Sequence, residues 1–382
     1  MAPDSAEKTV NIFGHSHVKP TKLIGSKDFQ FTTFDLPYLA FYYNQKLMLY
    51  NGGPDFDFDA MVSKMKRGLQ VAIDEFYPLA GKIVTDEDGV YFLKYDDNMH
   101  GIEVVEAVAG EFTVDDLSAN DDTSAILRFL PCNGTPNLDG LRLPLVSIQL
   151  TKLADGIAVG CAFNHAVMDG SSTWHFIGSW AEACNKMITK KPTLERSMRI
   201  ARVKLGSTLA ARTVASDEGK NCNRHRVFRF SSESIARIKK TANACPAEGG
   251  KPFSLFQSLG AHIWRSVSRA RGLKAEDVTV FAVFMDCRRR LDPPVPESYF
   301  GNAIHAVFTY STGGVLGGGP AAVGATLIQK AVEAHDAKAI EERNRQWESD
   351  PKIFEYRDAG VNCVVVGSSP RFRVYDVDFG WG

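Results

Sequence analysis

An excess of charge of either sign is missing from this sequence: 44 Lys and Arg stand against 45 Asp and Glu, a formal net charge of −1 at pH 7. A general nucleic-acid binder needs a basic surplus to neutralise phosphates, so nucleic acid is not expected among the partners. Cysteine occurs as seven scattered residues, an odd number with no C-x-x-C pair and no His/Cys spacing suited to zinc. That argues against a disulfide framework and a structural zinc, and it favours reduced thiols in the cytosol. No apolar run is long enough to cross a bilayer, and the opening MAPDSAEKTVN lacks the apolar core of a signal peptide. The expectation is a cytosolic protein without a membrane span. The Gly-rich run at 313–320 lacks a Gly-Lys-Ser/Thr ending, so it reads as a flexible connection and not a phosphate loop.

What is present is an ordinary globular composition, 44% hydrophobic and 23% charged over 382 residues, enough chain for two domains with full cores. The chain is organised around residues 157–187. Its first seven residues are an apolar run of buried-strand length. Trp174, Ile177, Ala181 and Cys184 then recur at helical spacing behind Ser171 and Ser172, both good N-caps. Between them lies Asn164-His165-Ala166-Val167-Met168-Asp169-Gly170. It sets one imidazole at the end of a strand, and Gly170 is expected to turn the chain with positive φ. A histidine held this way suits general-base catalysis. With nine histidines in the chain, a packed structural His165 fits the bare His-x-x-x-Asp pattern equally well.

Periodicity around this centre gives an α+β chain in two similar halves. Residues 1–26 read as a polar, extended lead-in. Residues 29–50 are dense in aromatics and read as core strand and lining, with Tyr38 and Tyr42 as candidates for a substrate tunnel. Met61, Met65, Leu69, Ala72, Ile73 and Phe76 mark one helix face, which Pro78 stops. Asp88-Gly89 is a hairpin signal before the strand at 90–95. Strands at 102–108 and 145–153 follow, and Asp155-Gly156 turns the second into the central strand. From 186 to 226 apolar periodicity is lost, which predicts a long crossover. Beyond it come a strand at 227–230, a helix from Ser232, and a helix from Ser254 to about Arg271 closed by Gly272. Strands at 278–285 and 304–309, one long helix at 321–347, and strands at 361–366 and 372–379 complete the pattern. The predicted organisation is a domain at 1–185, a linker at 186–226 and a domain at 227–382, with a ligand cleft between the domains.

Five motifs occur in order: Tyr77-Pro78-Leu79-Ala80-Gly81, His165-Ala166-Val167-Met168-Asp169-Gly170, Asp286-Cys287-Arg288-Arg289-Arg290, Tyr299-Phe300-Gly301-Asn302 and Asp378-Phe379-Gly380-Trp381-Gly382. Together they resemble the plant BAHD acyltransferase family over essentially the whole chain. The stretches FTTFDLPYLAFYYNQK, FNHAVMDGSSTWHF and GSSPRFRVYDVDFGWG are similar to a family member of the cutin pathway. The resemblance implies two mixed-sheet domains of the chloramphenicol-acetyltransferase-like type with an active-site tunnel at their interface. It implies a monomer that uses acyl-CoA as co-substrate and an alcohol as acceptor, with no permanently bound cofactor and no metal. It implies His165 as general base, Asp169 paired with Arg288, and structural roles for Gly170, Asp378 and Gly380. Trp381 becomes a candidate oxyanion donor. Lys251 and Ser254 become candidate coenzyme A contacts, although a plain helix cap accounts for Ser254 as well. Family chains continue past DFGWG with further strands and a helix; this sequence ends there, and a sheet stopping at that point is expected to expose unpaired edges.

The implied chemistry needs little beyond a base. A thioester is already a good acyl donor, so the task is to make a hydroxyl nucleophilic, and a neutral imidazole does that near pH 7. Asp169 could instead form a dyad with His165, but a buried ion pair with Arg288 explains it more simply. The Arg288–Arg290 run could be a phosphate or nucleic-acid patch, but a strand end with one inward and one outward arginine explains it more simply. Three functions stay open: acyl transfer in cutin monomer synthesis, hydroxycinnamoyl transfer to phenolic or aliphatic alcohols, and non-catalytic assistance to a lipid-elongation complex.

Overall fold

In chain order the structure forms β1 (Asn11–Val18), β2 (Lys27–Gln30), β3 (Asn44–Asn51), α1 (Phe58–Glu75), β4 (Lys82–Thr85), β5 (Tyr91–Tyr95), β6 (Ile102–Ala109), α2 (Val114–Ser118), β7 (Val146–Leu153), β8 (Gly156–Phe163) and α3 (Gly170–Asn185). The second half forms α4 (Ser232–Ala242), α5 (Leu255–Ala270), β9 (Val278–Asp286), β10 (Ile304–Thr312), α6 (Gly313–Gly318), α7 (Ala322–Ala334), α8 (Ala337–Ser349) and β11 (Cys363–Val366). This computed structural model describes residues 8–54, 56–119, 121, 123–196, 198, 200–205, 226–244, 251–351, 360, 362–367 and 372–381. Much of the predicted crossover, and Gly382, lie outside the described residues.

β8 is buried along its whole length because it is an interior strand with both faces covered. The five-stranded sheet runs β1-β6-β7-β8-β3, antiparallel except for the β6–β7 pair. Ile157, Val159, Cys161 and Phe163 face the largest core, to which α1 and α3 contribute Met65, Leu69, Phe176 and Trp180. Ala158, on the other face, joins a smaller core with Phe112 and Phe129. In the second half a three-stranded sheet runs β10-β9-β11, with β11 parallel to β9, and packs on α5 and α7 through Trp264, Phe281 and Ile328. A third cluster, Phe34, Met198, Cys287, Tyr299 and Ile340, draws on both halves. No described helix is long and apolar enough to cross a membrane.

Several expectations are corrected. The lead-in contains a paired strand, β1, hidden from periodicity because it lies at the sheet edge and stays largely exposed. Residues 227–230 form no strand. The Gly-rich run at 313–318 is helical, capped by the Thr312 hydroxyl, which accepts from Val315 N–H, and anchored by buried Leu316. The long helix at 321–347 is two helices; Asp336 interrupts it by capping α8 through Ala339 N–H. Residues 372–379 form no strand either: a 3₁₀ turn covers Val374–Asp376 and the rest is irregular.

Candidate active site

His165 sits in the turn between β8 and α3, and its backbone is held from both halves of the chain. Its N–H donates to Asn137 Oδ1 (2.8 Å), and its carbonyl accepts from Asn302 Nδ2 (3.0 Å). Asn164, fully buried beside it, donates to the Asn137 carbonyl (2.7 Å) and accepts from Ala166 N–H (3.1 Å), which closes the turn. The imidazole lies flat against the Tyr38 ring, centroids 4.7 Å apart and planes 8° from parallel. Nδ1 is buried with no hydrogen-bond partner among the described residues. Burial pushes the ring's pKa below its ordinary value; its own carbonyl, Asp169 and Asn302 oppose the shift without cancelling it. Lys46 on β3, itself lowered to about 8 by burial, adds to the shift. The ring is therefore held as the free base at neutral pH.

Asp169 is the N-cap of α3, accepting from Ser172 N–H (2.9 Å), where Ser171 and Ser172 were expected to cap. Gly170 is the first helical residue and has no positive φ. Its value is space: a Cβ there would stand 2.7 Å from the Phe372 ring. The Asp169 carboxylate faces away from His165 Nδ1 and into a fork from Arg288, with NH1 to Oδ2 at 2.7 Å and NH2 to Oδ1 at 3.0 Å; Ala303 N–H adds a further bond at 3.0 Å. Both side chains are almost fully buried, 0% and 2% exposed. Burial alone would raise the Asp169 pKa, but Arg288 and the two backbone donors outweigh it and hold the carboxyl below the usual range. Arg288 NH2 also reaches Ser172 Oγ and the carbonyls of Tyr299 and Gly301, so the YFGN turn is tied to the same centre.

A second buried ion pair lies beside the first and escaped sequence reasoning. Asp35 accepts from Arg196 NH1 (2.9 Å), from Asn302 N–H and Nδ2 (3.1 and 3.0 Å), and from Thr32. Its signal was available: one aspartate inside the apolar run FTTFDLPYLAF needs a buried partner. Tyr38 also lines a cavity of about 110 Å³ between the halves, walled by Phe34 and Phe41 on one side and Phe284, Phe308 and Trp347 on the other.

The model of the Transferase family matches residues 8–382. The chain is similar to BAHD acyltransferase DCR of Arabidopsis thaliana, 50% identical over 98% of this chain and 82% of that protein. The chain belongs to the BAHD acyltransferases. It is also similar to hydroxycinnamoyl-CoA:5-hydroxyanthranilate N-hydroxycinnamoyltransferase HHT1 of Avena sativa, 33% identical over 87% of this chain and 78% of that one. Among solved structures, vinorine synthase has a TM-score of 0.71 at 18% identity, covering 98% of this chain and 87% of its own. F. graminearum TRI101 complexed with ethyl coenzyme A has a TM-score of 0.69 at 18% identity, covering 94% and 87%. This BAHD acyltransferase thus has the two-domain α+β fold of those neighbours.

The DFGWG segment of this BAHD chain lies away from His165. Phe379 is fully buried against Trp180, ring centroids 4.7 Å apart, and Trp381 stacks on Phe379 and meets Tyr50 edge-on. Tyr50 pairs with Ile157 at the start of β8, whereas His165 follows Phe163 at its end, about 20 Å along the strand. Helix α3 gives the same answer: the segment bonds to Asn185 at the helix end opposite Asp169, about 22 Å away. Trp381 is therefore too distant to donate to an oxyanion at His165, and its indole N–H is buried without a partner among the described residues. Asp378 and Gly380 serve the docking itself. Asp378 Oδ1 accepts from Gly380 N–H (2.6 Å), its carbonyl accepts from Asn185 Nδ2 (2.8 Å), and Lys64 Nζ donates to the Gly380 carbonyl (3.2 Å).

Tyr42 is exposed, bridged to Pro136, and does not line the cavity; Phe41 takes the place expected for it. Ser254 is the N-cap of α5 in a reciprocal box with Gln257, and Lys251 is exposed. Cys287, His305 and His335 bring three donor atoms within 4.8 Å of one another. They form a hydrogen-bonded relay instead of an open metal cradle: His305 Nδ1 and His335 Nε2 are 3.3 Å apart, and His305 Nε2 donates to Asn344 Oδ1 (3.1 Å). A dication there would also face the positive fields of Arg343 and Arg290.

Proposed function

We propose that the chain is an acyl-CoA-dependent O-acyltransferase in which His165 is the general base, moving a fatty acyl group to an alcohol acceptor in cutin synthesis. One observation supports the reading: a neutral imidazole, pinned by Asn137 and Asn302, stacks on Tyr38, whose ring also lines an apolar cavity between the two halves. Nε2 takes the acceptor's hydroxyl proton as its oxygen attacks the thioester carbonyl. A tetrahedral adduct forms, its C–S bond breaks, and the imidazolium returns the proton to the departing thiolate. No acyl-enzyme is required. Asp169 and Arg288 hold the turn and do not exchange protons. The resemblance of three long stretches to a cutin-pathway protein supports a long, hydroxylated acyl chain, and exposed Lys251 is the cation proposed to meet a coenzyme A phosphate. We place the enzyme in the cytosol as a monomer.

The aromatic walls of the cavity favour one alternative, a hydroxycinnamoyl donor stacked on Phe284 and Trp347. A donor screen separates the two, with released thiol as the readout. Long-chain hydroxyacyl-CoA is expected to outperform p-coumaroyl-CoA in kcat/KM; the reverse order would establish the phenolic reading. His165→Ala is expected to lower turnover at least about 100-fold with the preferred donor. Turnover near wild type in that variant would remove His165 as the base.

A further inference from the structure

One cation in the cavity wall has no role in proton transfer at His165. Arg343 lies on α8 and lines the cavity, with Phe284, Phe308 and Trp347 around it. Its NH1 donates to the Ala306 carbonyl, and among the described residues no carboxylate lies within ion-pair distance of it. Two of the three glutamates on its own helix are engaged elsewhere, Glu342 with Arg345 at 3.0 Å and Glu341 with Arg345 at 3.9 Å. The two almost fully buried guanidiniums of this region, Arg288 and Arg196, each have an aspartate; half-buried Arg343 stands among aromatic rings without one. Burial works against its charge, yet arginine cannot shed its proton in a protein. A wall of this kind is costly unless a ligand supplies the counter-charge. A second observation points the same way. Thr33 lines the same cavity, is 3% exposed, and its hydroxyl has no hydrogen-bond partner among the described residues. His305 and Asn344, also in the wall, are bonded to each other and need nothing further.

We propose that this cavity binds the far end of a substrate chain that carries a carboxylate, with Arg343 as its counter-ion and the Thr33 hydroxyl as a second donor. This rests on the reading of the cavity as part of the acyl-transfer site. The volume, about 110 Å³, is somewhat below the roughly 150 Å³ apolar cavity that takes one benzene, so it suits a chain end and not a whole chain. A planar guanidinium matches a carboxylate with two parallel bonds, which a terminal methyl or hydroxyl cannot reproduce. The carboxylate could belong to the acyl donor, as an ω-carboxyacyl thioester, or to the acceptor, as a hydroxy acid.

Matched substrate pairs over a range of chain lengths test this by thiol release. One pair is an ω-carboxyacyl-CoA and the plain acyl-CoA of equal length, with a common alcohol. The other is a hydroxy acid and the corresponding diol, with a common acyl-CoA. The acid member of one pair is expected to be favoured about 10- to 100-fold in kcat/KM, the range for a charge-assisted hydrogen bond, and the pair that shows it identifies the source. Arg343→Met is expected to abolish the preference, and Arg343→Lys to restore only part of it. Equal kcat/KM within both wild-type pairs, or an undiminished preference in Arg343→Met, would overturn the proposal while leaving acyl transfer intact. If no pair releases thiol, acyl transfer itself fails, and calorimetry decides the pocket. An α,ω-dicarboxylate should then bind wild type about 10-fold more tightly than the diol of equal length, and equal affinities would reject the pocket. Should Arg343→Met not fold, Thr33→Val, expected to cut the preference severalfold, takes its place.

Discussion

At His165 the burial that strips solvent from Nδ1 also sets the pH at which the ring can act. A base works only when unprotonated, so the acid limb of kcat/KM follows its pKa in the free enzyme. That pKa is lowered by burial, hence the limb is expected below about pH 6.5, the ordinary histidine value. A profile from pH 5 to 8 checks it, and a half-maximum above pH 7 would contradict a desolvated base. Asp169 and Arg288 behave differently because each is the other's solvent. Removing Arg288 leaves Asp169 a buried, unpaired carboxylate, at a cost of about 3–5 kcal/mol, whereas removing Asp169 leaves Arg288 only the half-exposed Asp286 at 3.2 Å. Asp169→Asn and Arg288→Ala are each expected to lower the melting temperature, with a double variant much less than additive. Additive losses in that cycle would mean the pair does not act as a unit. The motif residues His165, Asp169 and Arg288 were legible because their types and order are distinctive. Asn137, Asp35 and Arg196 were not: their roles arise from backbone groups and partners more than a hundred positions away, as with Asp35 and Arg196.

At the level of elements, strands and helices with one strong periodicity could be read directly: α1, β8, α3 and α5 fall within a few residues of their expected ranges. The failures share a cause, burial achieved by something other than the pattern's own geometry. Residues 372–379 carry apolar positions spaced much like a strand's, but Phe379 is buried by docking on Trp180 of α3 and on Tyr50, while Tyr375 stays exposed. The helix at 313–318 forms from glycines because Thr312 caps it and Leu316 is packed in place. DFGWG is thus a clasp at the far end of α3, and Gly380 is the residue on which it depends. It has φ +89°, and a Cβ there would stand 1.7 Å from Asn185 Oδ1. Gly380→Ala is expected to destabilise the fold by about 1–3 kcal/mol, the cost of a non-glycine residue forced into that region. The acid limb of the pH profile should stay where it is, since His165 lies about 20 Å away. A shifted limb in Gly380→Ala, or unchanged melting, would place the clasp nearer the chemistry than the strand register allows.

Across the whole molecule, the two halves meet on buried polar groups as much as on apolar ones. Asp169–Arg288 joins the two halves directly, Asp35–Arg196 lies beside it, and Asn302 is bonded to Asp35 and to the His165 carbonyl at once. The His305–His335 relay sits on this seam with Cys287, Asn344, Arg343, Arg290 and Asp336 around it, which makes the folded state sensitive to mild acid. Burial, reinforced by Arg343, pushes His305 down to about 2 and His335 to about 4. The sign follows from where the protons go. Unfolded, both rings take up a proton near pH 6.5; folded, they refuse it, so stability is full above that pH and falls as the pH drops toward the folded values. His165 and His175 are lowered as well and contribute in the same direction. Each such histidine changes stability by up to about 1.4 kcal/mol per pH unit, or roughly 1–2 °C for a chain of this size. Between pH 6.5 and 5 the melting temperature is therefore expected to fall by several degrees, ahead of the carboxylates, which titrate lower. Replacing the relay with His305→Asn and His335→Gln should flatten about half of that slope. Melting curves at pH 7.5, 6.5, 5.5 and 5.0 for both proteins decide it. A flat wild-type profile would mean that the seam already admits a proton, and an equal slope in the double variant would move the acid sensitivity to His165 and His175.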